Sequence, residues 1–188
     1  MTPPKRMIVA MTGASGFDYG VRSLQLLRGL GVETHLVVSR AAISAMAHES
    51  DWTFGRIREL ADHCHDNRDI TAPIASGSFR TIGMIVAPCS AKSLAEIALG
   101  TGGTLVQRAA DVVLKERRRL VVLFRETPFH LGHCRNMLQL TEMGGIVMPP
   151  VPAFYPMPKT IAEMVDYTVA RALDLFDFDV SIAGRWKE

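Results

Sequence analysis

Cysteine is scarce in this 188-residue chain, and the three present, Cys64, Cys89 and Cys134, are odd in number and widely spaced. They suggest no disulfide framework, and without a CxxC or Cys/His ligand spacing no structural zinc site is expected. His63 and His65 flank Cys64, but an isolated His-Cys-His tripeptide is poor chelating geometry and reads as a solvated helix end. Excess charge is also lacking. A formal net charge of +2 gives little electrostatic basis for nucleic acid or an anionic membrane as partner. Long apolar runs are missing too, the longest being of strand length and far short of a bilayer span. The basic start at residues 1–6 runs straight into an apolar strand rather than a signal-peptide core. A reducing cytoplasm is the simplest location these features imply.

What remains is ordinary globular material, 48% hydrophobic and 21% charged. The length suits one domain spanning residues 1–188. Strand-like runs at 7–11 (MIVAM), 34–38, 83–87 (GMIVA), 120–124 (LVVLF) and 146–148 alternate with helical segments. Those helices are expected at 17–30, 41–49, 91–99, 105–117, 130–143 and 160–176. Ser39 is placed as an N-cap, and Thr160 with Glu163 makes a capping-box pattern. Alternation of this kind implies an α/β fold, a parallel sheet with helices on both faces. Residues 50–79 are the least regular, and the proline-rich 149–158 stretch can be neither helix nor central strand.

Ligands of such sheets bind beyond the carboxyl ends of the strands. There the chain places Gly13-Ala14-Ser15-Gly16, then Ser39-Arg40, then Pro88-Cys89-Ser90-Ala91-Lys92-Ser93, then Arg125-Glu126-Thr127-Pro128, then a proline-rich wall ending near Tyr155. Small residues before a helix let a phosphate approach its free N–H groups. Taken singly, most of these clusters are explained as well by a tight turn, a helix cap or a solvated charge, whereas the Arg125-Glu126 pair at a strand end needs a partner or a ligand. Cys89 reads as a buried small residue rather than a nucleophile. Arg108 and Lys115 share a helix face, the Arg117-Arg118-Arg119 run reads as a solvated helix end, and Arg171 reads as a surface arginine lying along apolar neighbours. Five such clusters after five strands fit one ligand crevice better than five coincidences.

The segments GASGFDYG (13–20), VSRAA (38–42), ASGSF (75–79), PCSAKSLAEIA (88–98), RAADVVLKERR (108–118), RETP (125–128), NM (136–137), PPVPAFYPMP (149–158) and RW (185–186) together resemble the UbiX-type flavin prenyltransferases, formerly known as aromatic-acid decarboxylases. The resemblance implies a flavodoxin-like Rossmann fold and a dodecamer built from trimers. It implies FMN bound by Gly13, Ala14, Ser15, Ser39, Ser90, Ala91, Lys92, Ser93 and Arg125. It further implies a dimethylallyl phosphate site formed by Glu49, Arg108, Lys115, Glu126, Tyr155 and Arg171, several of them from a neighbouring subunit. In this reading Ser15, Glu49 and Glu126 handle protons, no metal is needed, and the prenylated FMN passes to a UbiD-type decarboxylase in ubiquinone biosynthesis or aromatic-acid breakdown. Phe17 and Asp18 depart from the family pattern, and so do Thr104 and Gln107, which leaves the prenyl donor's chain length open. The alternatives are direct FMN-dependent decarboxylation of an aromatic or cysteinyl acid, and a non-catalytic FMN carrier.

Overall fold

The computed structural model describes residues 5–180, and the Arg185-Trp186 pair lies outside them. The chain order is β1 (Arg6–Met11), α1 (Phe17–Gly29), β2 (Glu33–Val38), α2 (Arg40–Glu49), α3 (Phe54–Arg58), β3 (His63–His65), a 3₁₀ turn (Pro73–Ala75), β4 (Gly83–Cys89), α4 (Ala91–Leu99), α5 (Leu105–Lys115), β5 (Arg119–Phe124), α6 (Leu131–Glu142), β6 (Ile146–Val147) and α7 (Ile161–Asp174). The strands form one sheet in the order β3-β2-β1-β4-β5-β6, with every pairing parallel. Without the short edge strand β3, the other five strands stand in the 2-1-3-4-5 order of flavodoxin-like folds.

Both faces of the sheet are buried, which is why its strands read as near-continuous apolar runs. Along β1 the two-residue period sends Met7, Val9 and Met11 to one side and Ile8 and Ala10 to the other. The first side packs against Val21, Leu24 and Leu27 of α1, Met46 of α2, and Val165, Val169 and Leu173 of α7. The second packs against Leu94 and Ile97 of α4, Leu105, Ala109 and Val113 of α5, and Leu140 of α6. Each fully buried Leu contributes about 1.5–3 kcal/mol relative to exposure. The helices α1, α2 and α7 therefore cover one face, and α4, α5 and α6 the other.

Two sequence readings are corrected. The His63-Cys64-His65 segment is not a helix end but an edge strand, pairing His35 with His63 and Leu36 with Cys64. It escaped notice because it is three residues long and carries no apolar run. Nor is Arg118 a solvated helix end. Its side chain is 16% exposed and donates to the carbonyls of Gly77, at 2.7 Å, and Phe79, at 2.8 Å. Those two bonds hold the irregular 76–79 stretch onto the end of α5.

The contact between α1 and β4 is unusually close. A Cβ on Gly20 would fall 2.3 Å from the Ala87 carbonyl oxygen and 2.8 Å from Met11 Cε. Alanine gains about 1 kcal/mol of helix propensity over glycine, but overlap with a buried backbone atom outweighs that gain. Gly20→Ala is therefore expected to lower stability by about 1–3 kcal/mol, read as a lower urea midpoint with an unchanged slope.

Candidate functional site: a crevice at the carboxyl edge of the sheet

Strand order reverses between β1 and β4, so the loops leaving these two strands part and open a crevice. One buried hydroxyl ties its floor together. Thr12, 1% exposed, donates from Oγ1 to the Pro88 carbonyl at 3.0 Å and accepts from the Ser90 N–H at 2.8 Å. The Thr12 N–H donates to the same Pro88 oxygen at 3.1 Å. Proline is tolerated in this central strand because β4 shifts register between Val86 and Cys89, where no ladder N–H is required. The Ala87–Pro88 and Thr127–Pro128 peptides are cis.

Three of the helices that begin at this edge border the crevice. Two are capped by hydroxyls, with Ser39 Oγ accepting from Ala42 N–H at 3.1 Å and Ser90 Oγ accepting from Ser93 N–H at 3.2 Å. Ser39 also joins the floor through its N–H, which donates to the Met11 carbonyl at 2.9 Å. The third helix, α1, begins at Gly16, whose φ of 96° is a left-handed value that suits glycine, and no side chain caps it. Its positive end is met instead by Glu49, whose Oε2 accepts from Gly16 N–H at 2.9 Å. Glu49 is the last residue of α2, where the helix dipole disfavours a carboxylate. That unfavourable position is offset by the opposite dipole end of α1. Gly13 is needed because a Cβ there would fall 2.5 Å from the Cβ of Ala41, pressing the loop against the start of α2.

From the β5 side, Arg125 enters with its N–H bonded to the Cys89 carbonyl at 3.0 Å. Glu126 follows and accepts from Thr127 N–H at 3.0 Å. Tyr19 stands near Arg125. Burial raises its phenol pKa, the Arg125 charge works against that rise, and Asp18 adds to it. Cys89 is no nucleophile here, because complete burial pushes its thiol up to about 12. Phe17, which departs from the family pattern, is 2% exposed and packs into the core beneath the turn. Lys92 turns away from the crevice, 82% exposed and 3.6 Å from Glu96.

One chain thus gathers Gly13, Ala14, Ser15, Ser39, Glu49, Ser90, Ser93, Arg125 and Glu126 at or near one edge. It does not gather the remaining cations. Arg108 lies on α5, paired with Asp111 at 2.7 Å and donating to the Ala75 carbonyl at 3.2 Å. Lys115 ends α5, paired with Glu116 at 2.5 Å. It lies just before Arg119, which pairs with Gly83 at the start of β4, the end of the strand away from the crevice. Arg171 lies on α7, paired with Asp174, and the Tyr155 hydroxyl meets that of Tyr167 on the same helix. The helices α5 and α7 cover opposite faces of the sheet. Thr12 and Tyr19 escaped the sequence reading. A threonine after a strand looks ordinary, and only the parallel pairing of β1 with β4 makes it a bridge.

Among known proteins, a model of the Flavoprotein family matches residues 1–173. The flavin prenyltransferase UbiX of Neisseria meningitidis serogroup B is 52% identical over 183 residues, covering 97% of each chain. A crystal structure of AnUbiX (PadA1) in complex with FMN and dimethylallyl pyrophosphate is 49% identical and superposes with a TM-score of 0.97 over 98% of both chains. A dodecameric FMN-dependent UbiX-like decarboxylase from Escherichia coli O157:H7 is 48% identical, with a TM-score of 0.95 over 97% of this chain and all of that one. The chain is a flavoprotein by fold and site, and it belongs to the UbiX flavin prenyltransferase family.

Replacing Thr12 by the isosteric valine strands the Ser90 N–H in the buried floor. Thr12→Val is expected to cost about 1–3 kcal/mol, measured by denaturant unfolding, and to weaken FMN retention on a desalting column.

Proposed function

We propose that this chain transfers a dimethylallyl group from dimethylallyl phosphate to nitrogen five and carbon six of reduced FMN, and that a UbiD-type decarboxylase receives the prenylated flavin. The observation that carries this reading is the crevice of hydroxyls, backbone N–H groups and Arg125 at the β1/β4 switch point, in a chain about half identical to named prenyltransferases along nearly its whole length. The 188 residues act as one FMN-binding unit.

Gly13, Ala14, Ser15, Ser39, Ser90, Ala91, Lys92, Ser93 and Arg125 hold FMN in this account, Lys92 through its backbone N–H in the first turn of α4, since its side chain turns away. The start of α1, which no residue of its own caps and where Glu49 takes the Gly16 N–H, and the guanidinium of Arg125 suit its phosphate. Reduced flavin supplies an electron-rich ring that shelters an allylic cation. Arg108, Lys115 and Arg171 neutralise the departing phosphate, and Tyr155 donates a hydrogen bond to it. The departed phosphate or Glu126 takes the proton lost on ring closure, while Ser15 and Glu49 relay protons beside nitrogen five.

The cations cannot act together within one chain. With α5 and α7 on opposite faces of the sheet, one phosphate reaches Arg108 and Arg171 together only where protomers meet. Exposed apolar side chains on the 151–161 stretch support such contacts, with Val151 at 73%, Phe154 at 72% and Ile161 at 79%. We infer a dodecamer, the state of the Escherichia coli O157:H7 relative. No helix among the described residues is long and apolar enough to cross a membrane. The free thiols of Cys64, Cys89 and Cys134 support a reducing cytoplasm as the site of action.

Anaerobic incubation with reduced FMN and dimethylallyl monophosphate should give a flavin heavier by one prenyl unit, read by mass spectrometry. Unmodified FMN with carbon dioxide released from an added acid would favour a decarboxylase instead. Glu49→Gln should keep FMN, because an amide oxygen still accepts from Gly16 N–H, yet lose turnover by about 10²–10⁴-fold. Undiminished turnover would remove Glu49 from proton transfer.

A further inference from the structure

Away from the crevice, the β2–β3 edge gathers a second set of polar groups. The parallel register sets His35 opposite His63. The two-residue period of each strand then brings Glu33, His35, His63 and His65 to one face. His35 is 3% exposed, with Nε2 3.1 Å from Glu33 Oε1 and Nδ1 3.0 Å from His65 Nε2. His63 Nε2 lies 3.5 Å from the same Glu33 oxygen, on a side chain 53% exposed.

We propose that Glu33, His35 and His63 form a binding site for one divalent transition cation of the zinc class, distinct from the flavin crevice. The three donor atoms lie within 4.8 Å of one another. Tetrahedral zinc with bonds of about 2.0–2.1 Å sets neighbouring donors roughly 3.3 Å apart. The distances from Glu33 to the two histidines, 3.1 and 3.5 Å, bracket that spacing. The His35 and His63 rings are stacked at 4.7 Å and 22°, and the Nε2 atoms of both lie beside the same Glu33 oxygen. Convergence requires only a turn of His63, the exposed member.

His65 supplies the outer support. With a cation bound, His35 donates its Nδ1–H to His65 Nε2, which leaves His35 Nε2 free of a proton to face the cation. Two imidazoles and one carboxylate favour zinc, nickel or copper(II) over magnesium or calcium. The exposed side of His63 is the entry path, and the fourth position is left to water. Arg6, which donates to Glu33 Oε1 at 3.0 Å and stacks on Phe79, competes for that oxygen and keeps the carboxylate in place. A cation here would staple the three-residue strand β3 to β2, and with it the chain leading to the Ala75 and Gly77 contacts of Arg108 and Arg118. The ligand set joins strands far apart in sequence, so no residue spacing advertised it.

The test is titration of the metal-stripped full chain with cobalt(II), a spectroscopic substitute for zinc. The expected result is one equivalent per chain with visible d–d bands, displaced by zinc. The bands should vanish in His63→Ala, whose fold is checked by circular dichroism, and weaken about tenfold in affinity in His65→Ala. They should persist in His133→Ala, which removes a stacked histidine pair outside the cluster, His130 and His133. Absence of bands from the unaltered chain, bands undiminished in His63→Ala, or bands lost in His133→Ala would each overturn the proposal.

Discussion

The pairing of β1 with β4 is the constraint on which the site depends. These strands stand at the reversal point of the sheet, and the loops leaving them diverge. A gap there would be floored by unpaired backbone groups, each costing about 1–3 kcal/mol if left unsatisfied. The Thr12 hydroxyl settles two of them at once by donating to Pro88 and accepting from Ser90. With the floor rigid, Ser39 and Ser90 are free to cap their helices, and Gly16 presents the open end of α1 to Glu49. The chemistry of the edge therefore follows from how the backbone is satisfied beneath it.

The sheet that builds this crevice also limits it. A two-sided sheet separates the helices on its faces, and here it parts Arg108 and Lys115 from Tyr155 and Arg171. Each of these cations is provisionally satisfied within its own chain, by Asp111, Glu116 or Asp174. Such surface pairs are worth little in water, at most about 1 kcal/mol. In the proposed assembly they would be exchanged for a phosphate where protomers exclude solvent. This gives a physical reason for a flavin prenyltransferase to work as an assembly rather than a lone chain.

Much of this was legible in the sequence, and the rest was hidden for identifiable reasons. Apolar runs such as MIVAM and LVVLF announced buried parallel strands, and Ser39 and Thr160 marked helix starts to the residue. The rule that ligands lie beyond strand ends located the Gly13–Gly16 loop, Ser90 and Arg125 without any coordinates. What failed were features defined by partners distant in the chain. The His63–His65 strand has no hydrophobic signal and exists only because β2 offers it an edge. Arg118 looked like one more arginine in a basic run until the carbonyls of Gly77 and Phe79 closed on it. The grouping of Arg108 with Arg171 was read from family likeness alone, and no periodicity reveals which face of the sheet a helix will cover.

The claim that one site draws on more than one protomer is tested most directly by subunit mixing. Arg108→Ala and Arg171→Ala chains, each inactive alone, would be co-expressed and the mixed oligomer assayed for prenylated FMN. The account predicts recovered activity, because some sites then receive an intact Arg108 from one chain and an intact Arg171 from another. Activity no greater than that of either variant alone, in oligomers shown by mass to be mixed, would contradict it.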